Sequence, residues 1–157
     1  MQLEYFQLID RIVELRTDEC KITVEANVPT TSTIFEGHFP GFPLMPGVLL
    51  IEAMAQTSGW LVVAVNKFER MPFLAAVKEA KLRNFVRPGE RLEIRASLAH
   101  EGSGFAMADA TISVGGKPTC SASLTFSVLP FPDPVFRDHM RLMAQRIEFP
   151  LQAMTHG

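Results

Sequence analysis

Cysteine is scarce in this sequence, and its two copies, Cys20 and Cys120, lie far apart. Neither belongs to a CxxC motif or to a cluster with histidine, so we expect no zinc site and no bound metal. Two isolated thiols are typical of a reducing, cytoplasmic environment. The N-terminal residues MQLEYFQLIDR also lack the basic region and apolar run of a secretion signal, which supports the same expectation.

An excess of charge of either sign is also missing. The chain has 15 Lys+Arg and 17 Asp+Glu, a net charge of -2 at pH 7, which gives no reason to expect attraction to nucleic acid or an anionic membrane. Its 157 residues are 47% hydrophobic and 20% charged, which is enough for one globular domain with its own core. No internal repeat is evident.

Long apolar stretches are limited to residues 48–65, where Glu52 is the only charged residue. Since proline suits the first turn of a helix, we predict a helix from about Pro46 to about Asn66. The stretch approaches the length of a membrane span, but it contains Glu52 and Gln56 and has no clear flanking topology signals, which favours a buried core helix. A lone carboxylate in such a helix is costly unless it has a partner or a chemical task.

The loop before this helix, EGHFPGFPLMP, carries a single histidine, His38, among prolines and glycines that predict a stiff, irregular path. Gly47 then lies in the first helical turn, where its N–H has no acceptor inside the helix and can hold an anionic oxygen. Taken singly, His38 is more often a structural residue and Glu52 a satisfied carboxylate. Together, the three supply the base, acid and oxyanion donor that an elimination next to a carbonyl needs.

The flanking sequence predicts an antiparallel sheet, and so an α+β domain. Residues 8–16 and 20–28 indicate a hairpin, and four strands joined by short turns are predicted after the helix, at 73–85, 91–100, 105–114 and 117–129. Prolines end the sheet near residue 130. We therefore divide the chain into a domain at 1–130 and a C-terminal extension at 131–157. In the extension, Asp133 and Pro134 predict the start of a short helix that packs on the domain or on a partner subunit.

The stretch GHFPGFPLMPGVLLIEAMAQ resembles the active-site sequence of the FabZ family, the (3R)-3-hydroxyacyl-acyl carrier protein dehydratases. The resemblance covers the GHFP loop, the MPG helix start and the LIEAMAQ segment, and it extends more weakly from Leu8 to about Val128. It implies a hotdog fold, in which a curved antiparallel sheet wraps a long helix. It also implies a homodimer, or a trimer of dimers, whose active sites pair the histidine of one subunit with the glutamate of the other.

The same resemblance implies a role for each residue of the motif. His38 would remove the proton at C2 of the substrate, Glu52 would protonate the leaving C3 hydroxyl, and the Gly47 N–H would hold the thioester oxygen. Phe39, Pro46 and Gln56 would contribute to substrate binding. Acyl carrier protein would present the substrate on phosphopantetheine, with no further cofactor. Four basic residues are candidates for contacting it, although a solvated strand face is an equally good interpretation of each: Lys78, Lys81, Arg83 and Arg87.

Three departures from the family pattern indicate a specialised member. Phe42 stands where the family usually has arginine or lysine, Lys78 replaces an aspartate and Phe85 replaces a proline. Glu52, where the related dehydratase/isomerases have aspartate, favours dehydration without isomerisation. Two alternatives stay open on the residues: a hotdog acyl-thioesterase that uses Glu52 to activate water, and a non-catalytic acyl-binding or carrier-binding partner.

Overall fold

The computed structural model describes residues 1–151, which form six strands and three α-helices after a short 3-10 helix at Leu3–Tyr5. The strands are β1 (Arg11–Arg16), β2 (Lys21–Asn27), β3 (Arg70–Leu82), β4 (Arg91–Gly102), β5 (Phe105–Val114) and β6 (Lys117–Pro130). The helices are α1 (Thr33–Gly37), α2 (Gly47–Val65) and α3 (Pro134–Arg146).

All six strands belong to one antiparallel sheet in the order β1-β2-β4-β5-β6-β3. Helix α2 contacts β2, β3, β4, β5 and β6, so the sheet surrounds it. Strand β4 shows why: its side chains alternate between exposed and buried over Arg91–Ala96, and the buried set faces the helix side of the sheet. The α+β hotdog arrangement is confirmed. Strand β3 lies at one edge of the sheet, and one of its sides is unpaired within residues 1–151.

Helix α2 is the core helix of the domain. Ala53, Met54, Leu61, Val62 and Val63 on it are fully or almost fully buried. By length and composition alone it could cross a membrane, but 67% of its apolar 18-residue stretch is buried inside the domain. Burial by the protein's own sheet accounts for its apolar composition without a bilayer.

Several sequence-predicted boundaries needed correction. Helix α1 lies where a loop was predicted; it is a single turn held by the Ser32 hydroxyl, which accepts a hydrogen bond from the Ile34 N–H at 3.2 Å. Pro46 is the N-cap of α2 and not its first helical residue. Strand β1 is shorter than predicted, β3 begins and ends about three residues earlier, and β4 extends two residues beyond its predicted end, to Gly102.

Helix α3 begins as the sequence predicts, with the Asp133 carboxylate accepting from the Val135 N–H at 2.8 Å and Pro134 at the first turn. Ala144, in the last turn of α3, and Ile147 and Phe149, just after the helix, are buried in the same core as α2. The described part of the extension therefore packs on its own domain. Residues 152–157 of the predicted extension lie outside the described residues.

Candidate active site

His38 follows α1 directly and is held on both sides by backbone hydrogen bonds. Its N–H donates to the Ile34 carbonyl at 3.0 Å, and its carbonyl accepts from the Leu44 N–H at 2.9 Å. The ring Nδ1 lies 3.0 Å from the Leu44 carbonyl oxygen. Because a carbonyl can only accept, the neutral ring carries its proton on Nδ1 and leaves Nε2 free to accept one. The loop therefore holds the imidazole in the tautomer of a general base.

The imidazole lines a cleft of about 470 Å³. The walls come from the His38 loop, the start of α2 and the segment that follows β3. The Met45 N–H donates to the Val86 carbonyl at 2.7 Å, which joins the loop to that segment. The lining residues are His38, Phe39, Leu44, Met45, Gly47, Leu50, Leu82, Arg83, Asn84, Phe85, Val86 and Arg87.

Gly47, the first residue of α2, shares this cleft with His38. Its N–H is one of the first four of the helix and has no acceptor inside it. A Cβ at this position would lie 2.5 Å from Cδ1 of Leu82, so any larger residue would have to displace that side chain. The cleft therefore contains a base and a helix-terminal donor suited to a developing negative oxygen.

Glu52 lies further along α2 and is only partly buried in the single chain. One of its carboxylate oxygens accepts from the Gln56 side-chain amide at 3.2 Å. That amide also donates to the Phe6 carbonyl at 2.7 Å, and its oxygen accepts from the Leu8 N–H at 3.1 Å. The N-terminal segment thus fixes Gln56, and Gln56 orients Glu52. Sequence reasoning missed Phe6 and Leu8, because nothing local marks a pairing across about fifty residues.

Glu52 and Gln56 do not reach the His38 cleft. They line a second, smaller cavity of about 210 Å³, whose other walls are mostly apolar. Within one chain, the structure therefore brings His38, Phe39 and Gly47 together and leaves the carboxylate elsewhere. Pro46 lines neither cavity and acts as the N-cap of α2. The smaller cavity is lined by Glu52, Ala55, Gln56, Gly59, Trp60, Met71, Pro72, Leu74, Phe126, Met140 and Met143.

The four candidate cations divide into two pairs. Arg83 and Arg87 line the His38 cleft, while Lys78 and Lys81 are exposed on the edge strand β3. Within residues 1–151, none of the four forms an ion pair. The Arg87 guanidinium lies 5.8 Å from the ring centroid of Phe42. The aromatic residue at this departure from the family pattern therefore contacts a neighbouring cation.

Metal and thiol chemistry find little support in the part of the chain that the structure describes. No group of three or more His, Cys, Asp or Glu side chains there could hold a metal ion. Cys120 is buried in the sheet, and desolvation raises the pKa of its thiol to about 11. A thiol with so high a pKa is a poor nucleophile near neutrality.

Comparison with known families shows that residues 1–123 match a FabA-like domain. The chain belongs to the FabA-like family. Among its curated relatives is the 3-hydroxyacyl-[acyl-carrier-protein] dehydratase FabZ of Levilactobacillus brevis, 41% identical over 128 residues, which cover 81% of this chain and 86% of that protein. The FabZ of Lactiplantibacillus plantarum is 40% identical over 121 residues, 76% of this chain and 82% of the relative. The resemblance read from the motif is confirmed.

Solved structures support the fold of this FabA-like protein. A hypothetical thioesterase from Streptococcus pneumoniae, determined with coenzyme A, superposes with a TM-score of 0.62 over 76% of this chain and 85% of its own. Its sequence identity is 18%, so the likeness is one of fold. Helix α3 lies beyond the residues that match the FabA-like domain. Met140 and Met143, which sequence reasoning did not connect with the site, nevertheless line the Glu52 cavity.

Proposed function

We propose that this protein is a (3R)-3-hydroxyacyl-[acyl-carrier-protein] dehydratase that forms trans-2-enoyl thioesters in fatty acid or related acyl-chain biosynthesis. The observation that carries the proposal is the match, at about 40% identity over most of the chain, to FabZ dehydratases. The site has the parts that this chemistry requires: a histidine with a free accepting nitrogen, a helix-terminal N–H in the same cleft, and an oriented carboxyl group.

The proposed reaction assigns one step to each group. Nε2 of His38 takes the proton from C2, and the electron pair of that C–H bond moves toward the thioester carbonyl. The Gly47 N–H stabilises the oxygen as it becomes negative. The pair then forms the C2–C3 double bond while the C3–O bond breaks, and Glu52 donates the proton with which the hydroxyl leaves as water. Phe39 forms part of the cleft wall, and Gln56 holds Glu52 in position.

This chemistry transfers only protons and loses water. No electrons are exchanged with a second molecule, and the carbanion-like charge is spread over an adjacent thioester. We therefore propose that the enzyme works without a metal or an organic cofactor, the substrate being carried on phosphopantetheine.

We further propose that the active site is completed by a second copy of the chain. The support is the placement of His38 and Glu52 in different cavities of one subunit. In addition, β3 is an edge strand that exposes Leu74, Val77 and Leu82 on one side of the sheet. An unpaired edge with apolar side chains favours association with another copy. A dimer has twice the 17.5 kDa mass of the chain, which light scattering measures directly.

We propose that acyl carrier protein, an acidic partner, binds at the mouth of the His38 cleft. We also propose that the enzyme is cytoplasmic. Arg83 and Arg87 line the cleft, Lys78 and Lys81 are exposed on the neighbouring strand β3, and none of the four forms an ion pair within residues 1–151. Unpaired surface cations attract an acidic surface and mainly affect the rate of encounter.

Exchange of Lys78 and Lys81 for glutamate should therefore raise KM for the carrier-bound substrate, by about tenfold at low salt. The same variant should leave KM for a pantetheine thioester within twofold, because both lysines lie on the face of β3 opposite its exposed apolar side chains and line neither cavity. Lys117→Glu, an exposed change in the β5–β6 hairpin, serves as the matched control. An equal rise in KM for both substrates would contradict a carrier-binding role.

The function itself is tested with 3-hydroxyacyl and 2-enoyl thioesters, on carrier protein and on pantetheine, followed by enoyl absorbance and by release of free thiol. We expect reversible hydration and dehydration with no thiol release. Release of free thiol at the same rate as substrate loss would instead establish a thioesterase. Acyl binding without any turnover would establish a non-catalytic acyl-binding protein.

A further inference from the structure

Helix α3 contributes a wall to the cavity that contains Glu52. The remaining walls come from one face of α2, from β3 and from β6, all within the sheet and its central helix. Met140 and Met143 of α3 supply the wall that these elements leave open. Both side chains are partly buried and pack against the hydrophobic core. Apart from Glu52 and Gln56, the side chains around the cavity are apolar.

Helix α3 is held firmly in this position. The Ile12 N–H on β1 donates to the Ile147 carbonyl at 2.8 Å, just after the helix ends. Phe149 packs against Trp60 with ring centroids 5.4 Å apart and against Phe68 at 5.8 Å. At the start of the helix, Phe136 lies 6.3 Å from Phe73 of β3. Contacts at both ends therefore fix the two methionines relative to the cavity.

The cavity is placed to receive the acyl chain. If Glu52 protonates the C3 hydroxyl, C3 lies beside that carboxyl group, and C4 onward must enter the apolar space next to it. Along α2 that space runs past Ala55 and Gly59 to Trp60, about 12 Å from Glu52 at 1.5 Å per residue. Its volume of about 210 Å³ lies below the roughly 300–1,000 Å³ of ordinary ligand pockets. Such a cavity suits an acyl chain of limited length.

We infer that Met140 and Met143 of helix α3 limit the length of the acyl chain that this enzyme accepts. The inference rests on the proposed dehydratase function. Methionine is flexible and fills irregular gaps, so the two side chains can close the cavity around a short chain and resist a long one. Chain-length selection then depends on an element beyond the residues that match the FabA-like domain.

The test is the double variant Met140→Ala/Met143→Ala, assayed with pantetheine thioesters from four to twelve carbons. Removing buried methylenes from one wall should raise the ratio of kcat/KM for long over short chains by about tenfold or more. Leu142→Ala is the matched control, since Leu142 is on the same helix but 60% exposed and lines neither cavity. A ratio unchanged within twofold in the folded double variant overturns the inference.

A second variant tests whether this cavity holds the acyl chain, even if the double variant does not fold. A Cβ on Gly59 would lie 3.6 Å from Pro72, an ordinary contact, so Gly59→Ala can be accommodated, and its methyl group adds bulk to a residue that lines the cavity. It should shift preference toward shorter chains, and an unchanged or opposite shift overturns the inference. Binding of saturated acyl-pantetheines, measured beside turnover, separates the two proposals. If the protein shows no turnover but binds acyl chains according to their length, and the variants change that binding as expected, the dehydratase function is rejected. The inference that Met140 and Met143 limit chain length is then retained.

Discussion

His38→Ala and Glu52→Gln, made singly, should each lower kcat for dehydration by a factor of about 10² to 10⁴, the usual contribution of a positioned general base or acid. In the proposed reaction the imidazole accepts the C2 proton on Nε2, because its Nδ1 is hydrogen-bonded to the Leu44 carbonyl. The Glu52 carboxyl is held by Gln56, and glutamine keeps its shape but cannot donate a proton to the leaving hydroxyl. The measurement is steady-state turnover of a 3-hydroxyacyl thioester.

Two neighbouring residues provide matched controls. His100→Ala and Glu101→Gln change the same residue types at exposed positions on β4 that line neither cavity. Both should keep near-wild-type turnover. Circular dichroism and thermal melting should show that all four variants remain folded. Full activity in either His38→Ala or Glu52→Gln would contradict the assigned roles.

Mixing the two inactive variants tests whether the site is shared between subunits. In a heterodimer, one site combines both defects, while the other combines an intact His38 with an intact Glu52. Random exchange makes half of the dimers heterodimers, so activity should recover to about one quarter of the wild-type value. Mass spectrometry of the intact dimers measures how many heterodimers form. Heterodimers without recovered activity would show that each site lies within one chain.

Gly47→Pro should lower kcat relative to the wild type by a factor of about 10² to 10³, which is the usual effect of removing one oxyanion donor. Proline lacks the N–H but is well tolerated at the first position of a helix. The preceding residue, Pro46, has a ψ of 134°, which is compatible with a following proline. Helix α2 should therefore still form, and the lost interaction is the donor itself. Turnover and a thermal melt of the variant provide the measurement.

Gly47→Ala is the control that separates the donor from the added bulk. Alanine keeps the N–H and brings in the same Cβ, which must displace Cδ1 of Leu82. Leu82 is 48% exposed, so its side chain can move at little cost in stability. We expect the alanine variant to lose far less activity than the proline variant. Equal losses in the two would show that the space beside Gly47 matters and the N–H does not.

Sequence patterns predicted the local structure well where one physical cause acts on neighbouring residues. The alternation in β4 follows from one face of the strand packing on the helix. The apolar length of α2 follows from its burial, and the start of α3 follows from the Asp133 cap. Helix α1 escaped prediction because a single turn leaves little pattern, and its cap depends on one hydroxyl, that of Ser32.

The sequence by itself determined which groups are the candidates for the chemistry: a histidine in a shaped loop, a glycine at a helix start and a lone carboxylate in an apolar helix. Only the tertiary structure decided how they are divided, with His38 and Gly47 in one cavity and Glu52 in another. It also revealed that Phe6 and Leu8 fix Gln56 and that α3 borders the Glu52 cavity. These contacts join residues about fifty or more positions apart, and such pairings are set by the packing of whole elements, which local sequence does not encode.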